Sequence, residues 1–159
     1  MSVLPIITGA DHPILRAPTV RVEKVTKKIL KLIKDMHATM KDANGVGLAA
    51  PQVGRSLRLC IATVNGKLVP LINPDITSKS PVTAIDEEGC LSLPDIWLPV
   101  PRPVEITVQY LDEKGQAQER KLQDFDARVV QHEVDHLDGV LIVDYQPVGK
   151  TLADAPHAL

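Results

Sequence analysis

Cysteine is scarce in this 159-residue chain, which contains only Cys60 and Cys90. Two thiols are too few for the disulfide framework of a small secreted scaffold, so a reducing, cytoplasmic compartment is expected. Long apolar runs are also lacking, because no stretch approaches the roughly 18–20 apolar residues that a membrane span needs. Residues 1–11 have neither the basic flank nor the apolar run of a secretory signal. The sequence therefore predicts neither a disulfide-rich secreted protein nor a membrane protein.

An excess of positive charge is lacking too. The chain has 18 Lys and Arg against 20 Asp and Glu, which gives a net charge of -2. Because a phosphate-tracking surface usually requires a basic excess, nucleic-acid binding is not expected. Hydrophobic residues make up 44% and charged residues 24%, as in ordinary soluble globular proteins. The length suits one domain over residues 1–159, with a short tail at 144–159.

Hydrophobic periodicity predicts an α+β fold. Apolar residues recur at helical spacing from Val22 to Ala43, and Asn44-Gly45 is a suitable end for that helix. Short apolar runs with turns between them then predict mostly antiparallel strands: 57–63, a hairpin turn at Asn65-Gly66, 67–72, 104–110, and a turn at 112–115. A final helix is predicted from about Asp124 to Leu137. The order helix, short strands, helix is typical of the α+β class.

The final helix is apolar on two sides. One face carries Ala127, Val130, Val134 and Leu137, and the other carries Phe125 and Val129 with His132 and His136. A helix with this pattern is expected to be buried on both sides. Buried imidazoles need partners, so the helix is the first candidate for a functional element.

The strongest chemical signal is His132-Glu133-Val134-Asp135-His136 on this helix. Residues four apart lie nearly one above the other, so both imidazoles can bind one metal ion. Glu133 then lies beside the ion and can act as the base for a water molecule. The alternative is a chance match with two histidines satisfied in a polar pocket, and the buried pattern favours metal binding.

A catalytic metal site typically has three protein ligands and an open position. Cys90 is the best candidate for the third, because a glycine, a carboxylate and a hydroxyl flank it in Asp86-Glu87-Glu88-Gly89-Cys90-Leu91-Ser92. Without the histidines, a lone loop thiol would be the simpler interpretation. Cys60 lies in a strand-like run and is interpreted as a small buried hydrophobe. The remaining histidines are expected to be solvated: His12, His37 and His157.

A third segment, Gly45-Val46-Gly47-Leu48-Ala49-Ala50-Pro51-Gln52, has two glycines that allow a ligand to approach the backbone. It is not a phosphate loop, because it lacks the Gly-Lys-Ser/Thr ending. The side-chain amide of Gln52 can donate to a developing oxyanion. Taken alone, this segment is more often a tight turn than a site.

Together, the segments 45–52, 88–92 and 131–139 resemble the three signature motifs of the peptide deformylase family, in the family's order. Asp11-His12-Pro13-Ile14-Leu15-Arg16 and Pro101-Arg102-Pro103 are also similar to family segments, so the resemblance covers about residues 5–144. It implies a peptide deformylase-like α+β fold, with antiparallel sheets around a central metal-binding C-terminal helix. The implied activity is metal-dependent removal of the N-formyl group from formyl-methionyl nascent peptides, which releases formate.

The resemblance also implies a ligand set: Cys90, His132 and His136 would bind one ion, with water in the fourth position. In this family the ion is usually Fe²⁺, and Zn²⁺, Ni²⁺ or Co²⁺ can substitute. The residue types alone do not select among these metals, because a Cys/His/His set suits several.

Further roles follow from the same resemblance. Glu133 would be the general base, and the Gln52 side chain and the backbone N–H of Leu91 would hold the oxyanion. Glu88 would make a hydrogen bond or ion pair behind the metal ligands, with Arg102 as a candidate partner.

The methionine side chain of the substrate needs an apolar pocket. Phe125, Val129 and Val46 are good candidates to line it, and the alternative is that they are plain core residues. The peptide backbone is expected to pair in strand fashion with Gly45, Val46 and Gly47 and with Glu87 and Glu88.

The chain departs from the family at two places. Trp97 stands near a position where many bacterial relatives carry arginine, and it either alters preference beyond the methionine or packs in the core. The tail 145–159 contains Pro147 and Pro156, so a long C-terminal helix, and any ribosome contact through one, is not expected. The substrate still implies transient proximity to the ribosome.

Three alternatives remain beside a formyl-methionyl hydrolase. A metalloprotease would share the His-Glu-x-x-His motif, but the cysteine and the surrounding motifs argue against it. A hydrolase of another N-acyl compound would keep every residue named above and differ only in pocket shape. A metal-binding protein without activity would not need Glu133 or Gln52. Bacterial-type cytoplasm is the simplest location, and an organellar enzyme without its transit peptide would look the same.

Overall fold

The structure, a computed structural model, describes residues 1–145 of the chain. The helices and strands, in chain order, are α1 (Pro13–Arg16), α2 (Lys27–Asp42), β1 (Gly47–Ala49), β2 (Leu59–Val64), β3 (Lys67–Lys79), β4 (Thr83–Cys90), β5 (Leu93–Pro103), β6 (Glu105–Leu111), β7 (Ala117–Gln123) and α3 (Asp124–Leu137). Two 3₁₀ turns, Ala50–Val53 and Ile142–Tyr145, accompany them. The expected tail beyond residue 145, with His157, lies outside the described residues. The α+β class is confirmed.

Two antiparallel sheets flank α3. One has five strands in the order β1-β2-β3-β6-β7, and the other is the separate β4–β5 hairpin. The apolar face of α3 packs on the five-stranded sheet, where Ala127, Val130 and Val134 join a cluster with residues such as Cys60 and Val108. Along the described chain, no helix combines the length and the hydropathy that a membrane crossing requires.

The first long helix starts later than the periodicity predicts. Thr26 is its N-cap, with a side chain that accepts a hydrogen bond from the N–H of Ile29, so α2 begins at Lys27 and not at Val22. Val22 lies in the preceding extended segment and exchanges two hydrogen bonds with the side chain of Asn73, both 2.8 Å long. Its apolar side chain reaches the same core from outside the helix, which is why the pattern looked continuous.

The β2–β3 hairpin turns at Asn65-Gly66 as predicted, with φ of 51° and 75° at the two residues. The sequence pattern does not predict the β4–β5 hairpin. Residues 83–86 of β4 are exposed, and β5 contains four prolines, which argue against a strand in a sheet interior. These prolines are tolerated because β5 pairs only with β4 among the described strands. The outer edge of β5 has no neighbouring strand, so it does not need backbone N–H groups to pair with one.

A buried carboxylate on α2, that of Asp35, anchors the N-terminal residues through a hydrogen bond. Asp35 accepts hydrogen bonds from the N–H of Ser2 at 2.8 Å and from Lys31 Nζ at 2.9 Å. These contacts lower the pKa of Asp35. The carboxylate therefore stabilises the fold above its unfolded pKa of about 4, and this contribution is lost as the pH falls through the lower folded-state value.

Asp35→Asn is accordingly expected to lower the thermal midpoint at about pH 7, by an amount that shrinks toward about pH 3. Thermal unfolding monitored by circular dichroism at several pH values measures this difference. Asp42→Asn, at the exposed end of α2, is the control and should change little. An Asp35→Asn difference that is constant with pH would show that the charge is not responsible.

Candidate metal centre

Cys90, His132 and His136 come together between β4 and α3. One ligand atom from each lies within 4.8 Å of the others, and Cys90 Sγ is 3.3 Å from His136 Nε2. All three side chains are buried. The residues that the sequence selected as metal ligands thus form one compact group.

Local structure explains how these side chains meet. The two histidines are one helical turn apart, with ring centroids separated by 5.1 Å in an edge-on arrangement. Cys90 is the last residue of β4, and the β4–β5 register shifts between Gly89 and Cys90. The regular ladder ends there, where the strand reaches α3.

The electrostatics of the group suit a cation. Burial lowers the pKa of His132, but contacts with Cys90 and Glu88 and the charge of Glu133 outweigh burial and raise it to about 10. Burial and the charge of His132 hold the pKa of His136 well below its usual range. The surroundings therefore favour one added positive charge, which a metal ion can supply in place of a proton. A cysteine sulfur and two imidazoles that converge fit a mononuclear centre.

Glu133 is the buried acid beside this group. Neither of its carboxylate oxygens has a hydrogen-bond partner among residues 1–145, and burial is the main cause that raises its pKa to about 7. A buried carboxyl without partners is costly to the fold unless it has another purpose. A pKa near neutrality suits a group that takes up and returns a proton.

Gly47 lies directly against this carboxylate. A Cβ at Gly47 would fall 2.5 Å from Glu133 Oε2, and the β1 backbone is held by pairing of Gly47 with Ala62. Gly47→Ala is therefore expected to displace the Glu133 carboxylate and to reduce turnover by about 10²-fold, without loss of metal.

Kinetics of the reaction expected from the sequence, formate release from a formyl-methionyl peptide, together with metal analysis test this prediction. The comparison variant is Gly45→Ala, whose Cβ would meet the Cδ1 tip of Leu91 at 2.8 Å. That flexible tip can move, so the smaller loss is expected there. Wild-type turnover in Gly47→Ala would show that the contact between residue 47 and the Glu133 carboxylate does not matter for catalysis.

Gln52 places a side-chain amide beside the thiol. Its Oε1 accepts a hydrogen bond from the N–H of Ala49 at 2.9 Å, and its Nε2 donates to Ser92 Oγ at 3.0 Å. The same Nε2 is 3.8 Å from Cys90 Sγ. These contacts fix which end of the amide faces the metal group. The hydrogen bond from Gln52 to Ser92 was not predicted from the sequence. The only sequence feature that pointed to Ser92 was its position two residues after Cys90. Leu91, half-buried, follows the thiol.

Glu88 is fully buried behind the ligands. Its Oε1 lies 2.9 Å from His132 Nδ1, and Arg102 donates to both carboxylate oxygens at 2.8 Å. Burial raises the pKa of Glu88, but Arg102 and His132 outweigh burial and lower it to about 2. The expected contact between Glu88 and Arg102 is therefore present. A contact between Glu88 and His132 Nδ1 leaves Nε2 of that imidazole free for a metal.

Arg128 provides a second guanidinium on Glu88, and it is not among the site residues predicted from the sequence. Its Nη1 lies 2.6 Å from Glu88 Oε2, and the residue is only 6% exposed. The available signal was its position within the apolar run 127–130 of a helix predicted to be buried on both sides. A buried arginine there requires a carboxylate partner.

The candidates for substrate contact are more dispersed. Val129 is fully buried, and Val46 packs against the same cluster. Phe125 is 52% exposed, so burial on both sides of α3 was wrong for the first turn. It lines a cavity of about 220 Å³ together with Ile85 and Asp86.

Other sequence candidates lie away from the ligands or at the margin. Cys60 is fully buried in β2, as expected, whereas His12 is exposed and caps α1. His37 on α2 is half-buried, not solvated. Trp97 is half-buried opposite Gly89 in the β4–β5 ladder, so it belongs neither to the deep core nor to the free surface.

A buried Cys/His/His group on a helix between antiparallel sheets, with an unpartnered glutamate beside it, is typical of a mononuclear metal-dependent hydrolase. The comparisons with known proteins narrow this class. A family model described as polypeptide deformylase matches residues 4–150. A peptide deformylase of Pseudothermotoga lettingae is 46% identical over 141 residues, which cover 89% of this chain and 82% of the relative.

Solved structures agree. Peptide deformylase from Thermotoga maritima superposes with a TM-score of 0.89 at 42% identity, covering 92% of this chain and 100% of that one. A class I type b peptide deformylase from Acinetobacter baumannii, bound to Met-Ala-Ser, gives a TM-score of 0.87 at 38% identity, with coverage of 92% and 100%. The chain belongs to the polypeptide deformylase family. It is a deformylase-type amide hydrolase, and its reaction is the removal of N-formyl groups from nascent peptides.

Proposed function

We propose that Cys90, His132 and His136 bind the catalytic metal ion, with Fe²⁺ as the native ion and Zn²⁺, Ni²⁺ or Co²⁺ as functional substitutes. The observation that carries this proposal is the convergence of three buried ligand atoms within 4.8 Å. When bound, the ion supplies Lewis acidity at the formyl carbonyl and makes a water molecule more acidic. The preference for iron rests on the family resemblance, since the ligand types suit several metals.

Within this proposal, Glu133 takes a proton from the attacking water and returns it to the leaving amine as formate departs. Its unpartnered oxygens and its pKa of about 7 support that role. Gln52 Nε2 and the N–H of Leu91 donate hydrogen bonds to the tetrahedral oxyanion. The position of Gln52 beside Cys90 Sγ supports this assignment.

The proposed peptide lies between the Gly45–Gly47 backbone and Glu87–Glu88. Among the described strands, β1 pairs only with β2 and β4 pairs only with β5, so each strand has an edge available for a peptide. The methionine side chain would pack against Val46, Val129 and Phe125. The Met-Ala-Ser bound to the Acinetobacter relative has the chemistry of the expected product.

The substrate also suggests where the protein works. Formyl-methionine initiates synthesis in bacterial-type cytoplasm, so we place the reaction there, in transient proximity to the ribosome. Neither nucleic acid nor a membrane is part of this proposal, and residues 1–159 are taken as one domain.

Hydrolysis of formyl-Met-Ala-Ser and of acetyl-Met-Ala-Ser by anaerobically purified protein tests the substrate assignment. We expect formate release from the first peptide and little acetate release from the second. Preferential cleavage of the acetyl peptide would favour the alternative of another N-acyl substrate while leaving the metal assignment intact.

A further inference from the structure

We propose that Arg128 is a positioning residue for the metal centre, because it holds the β4–β5 hairpin against α3. The hairpin carries Cys90, and α3 carries His132 and His136. This inference rests on the metal-binding role proposed above for these three residues. It adds a residue of α3 whose hydrogen bonds go to the hairpin and not to a ligand atom.

The ligands come from two structural units that share no strand ladder. The hairpin forms its own two-stranded sheet, and α3 packs on the five-stranded sheet. Backbone pairing therefore does not fix the distance between the thiol and the two imidazoles. Side-chain contacts between the hairpin and α3 therefore contribute to this distance, and small displacements of ligands are costly to a metal site.

Within residues 1–145, Arg128 makes three hydrogen bonds, and all three are to residues of the hairpin. Nη1 lies 2.6 Å from Glu88 Oε2 and 2.9 Å from the carbonyl of Val100, and Nη2 is 3.0 Å from the carbonyl of Ala84. Glu88 and Ala84 belong to β4, and Val100 belongs to β5. One guanidinium thus joins both strands of the hairpin to the turn of α3 that precedes His132.

Charge balance gives Arg128 a second effect. Arg102 contacts two carboxylates, because its Nη1 donates to Asp135 at 2.7 Å while its other nitrogens contact Glu88. With Arg102 alone, two carboxylates would share one guanidinium. Arg128 supplies the second positive charge in a place where Glu88 has no solvent exposure. Glu88 then stays in position to hold His132 Nδ1.

A lysine is not expected to replace Arg128 fully. Its ammonium group is a compact charge, whereas the planar guanidinium donates in several fixed directions at once. Arg128→Lys would preserve the charge beside Glu88 but lose part of the contact with the Ala84 and Val100 carbonyls. Substitution can therefore separate the effect of the positive charge beside Glu88 from the effect of the hydrogen bonds to the Ala84 and Val100 carbonyls.

The test compares Arg128→Met, Arg128→Lys and the wild type after loading with Co²⁺. The dissociation rate is measured by transfer of the ion to excess EDTA, and the cobalt–thiolate absorption band reports the geometry at Cys90. We expect Co²⁺ to leave Arg128→Met about 10–100-fold faster than the wild type, with a shifted band, and Arg128→Lys to be intermediate.

Arg16→Met is the matched control. Arg16 contacts one carboxylate, of Asp144 at 2.7 Å, and two carbonyls, of Ala10 at 2.8 Å and Gly139 at 3.2 Å. It therefore resembles Arg128 in its partners but lies outside the Glu88 network. Arg16→Met should therefore leave the Co²⁺ dissociation rate and the absorption band unchanged, even if its thermal midpoint falls.

Wild-type Co²⁺ dissociation from folded Arg128→Met would overturn the proposal, as would an equal acceleration in Arg16→Met. If Arg128→Met does not fold, Arg128→Lys carries the test, and an unchanged rate and band in that variant would overturn the proposal equally. Wild-type protein that binds no Co²⁺ would contradict the metal assignment itself, which distinguishes the two failures.

Discussion

Replacing Glu133 with glutamine is expected to reduce formate release by about 10²–10⁴-fold while the metal stays bound. Glutamine preserves the size of the side chain but does not take up and return a proton. Glu133 is not among the three converging ligands, so its loss should leave the metal content unchanged. The effect should fall on kcat, because the proton transfers belong to the chemical steps.

Two measurements on the same preparation check this result: formate-release kinetics and metal content per chain. Glu119→Gln, which alters an exposed glutamate on β7, is the control and should keep wild-type turnover. Turnover within a few-fold of wild type in a metal-loaded Glu133→Gln variant would show that another group acts as the base. Loss of metal in that variant would show that Glu133 belongs to the ligand set.

Cys90→Ala is expected to abolish tight metal binding and, with it, turnover. The substitution removes one of three ligand atoms, so the loss of affinity should exceed the roughly 10–100-fold that follows changes to contacts behind the ligands. Cys60→Ala provides a closely matched control, because Cys60 is also buried but lies in the β2 core cluster. That variant should retain its metal and most of its activity.

Metal analysis after dialysis, with circular dichroism to confirm folding, distinguishes the two cysteine variants. A folded Cys90→Ala protein that keeps one tightly bound ion and normal turnover would contradict the ligand assignment. Equal metal loss in both variants would indicate a general loss of packing and not the removal of a ligand.

Local sequence patterns predicted the structure best. The bounds of α3 and the facing of His132 and His136 follow from helical spacing, and the turn at Asn65-Gly66 follows from its dipeptide. The β4–β5 hairpin was not predicted, because the exposed residues of β4 and the prolines of β5 hide a two-stranded sheet. The start of α2 was misplaced because Val22 packs in the same core without being helical.

The candidate site shows the same division. His132, Glu133 and His136 were recognisable within one helix. Cys90 was a candidate from its flanking residues alone, and its assignment as a ligand needed the family resemblance, since no spacing rule joins residues 42 positions apart in the chain. The contact of Arg128 with Glu88 was not predicted, because this carboxylate lies 40 residues earlier in the chain. Ser92 contacts Gln52 across a similar separation. Contacts made by distant segments depend on the tertiary fold, which local periodicity does not encode.

The most direct test of the central claim is a metal titration of formate release from formyl-Met-Ala-Ser. Protein stripped by a chelator should be inactive, and turnover should return in proportion to added Fe²⁺ or Co²⁺ under anaerobic conditions, reaching its maximum at one bound ion per chain. Full turnover by the stripped protein, or no formate release by protein that holds one ion per chain, would contradict the account.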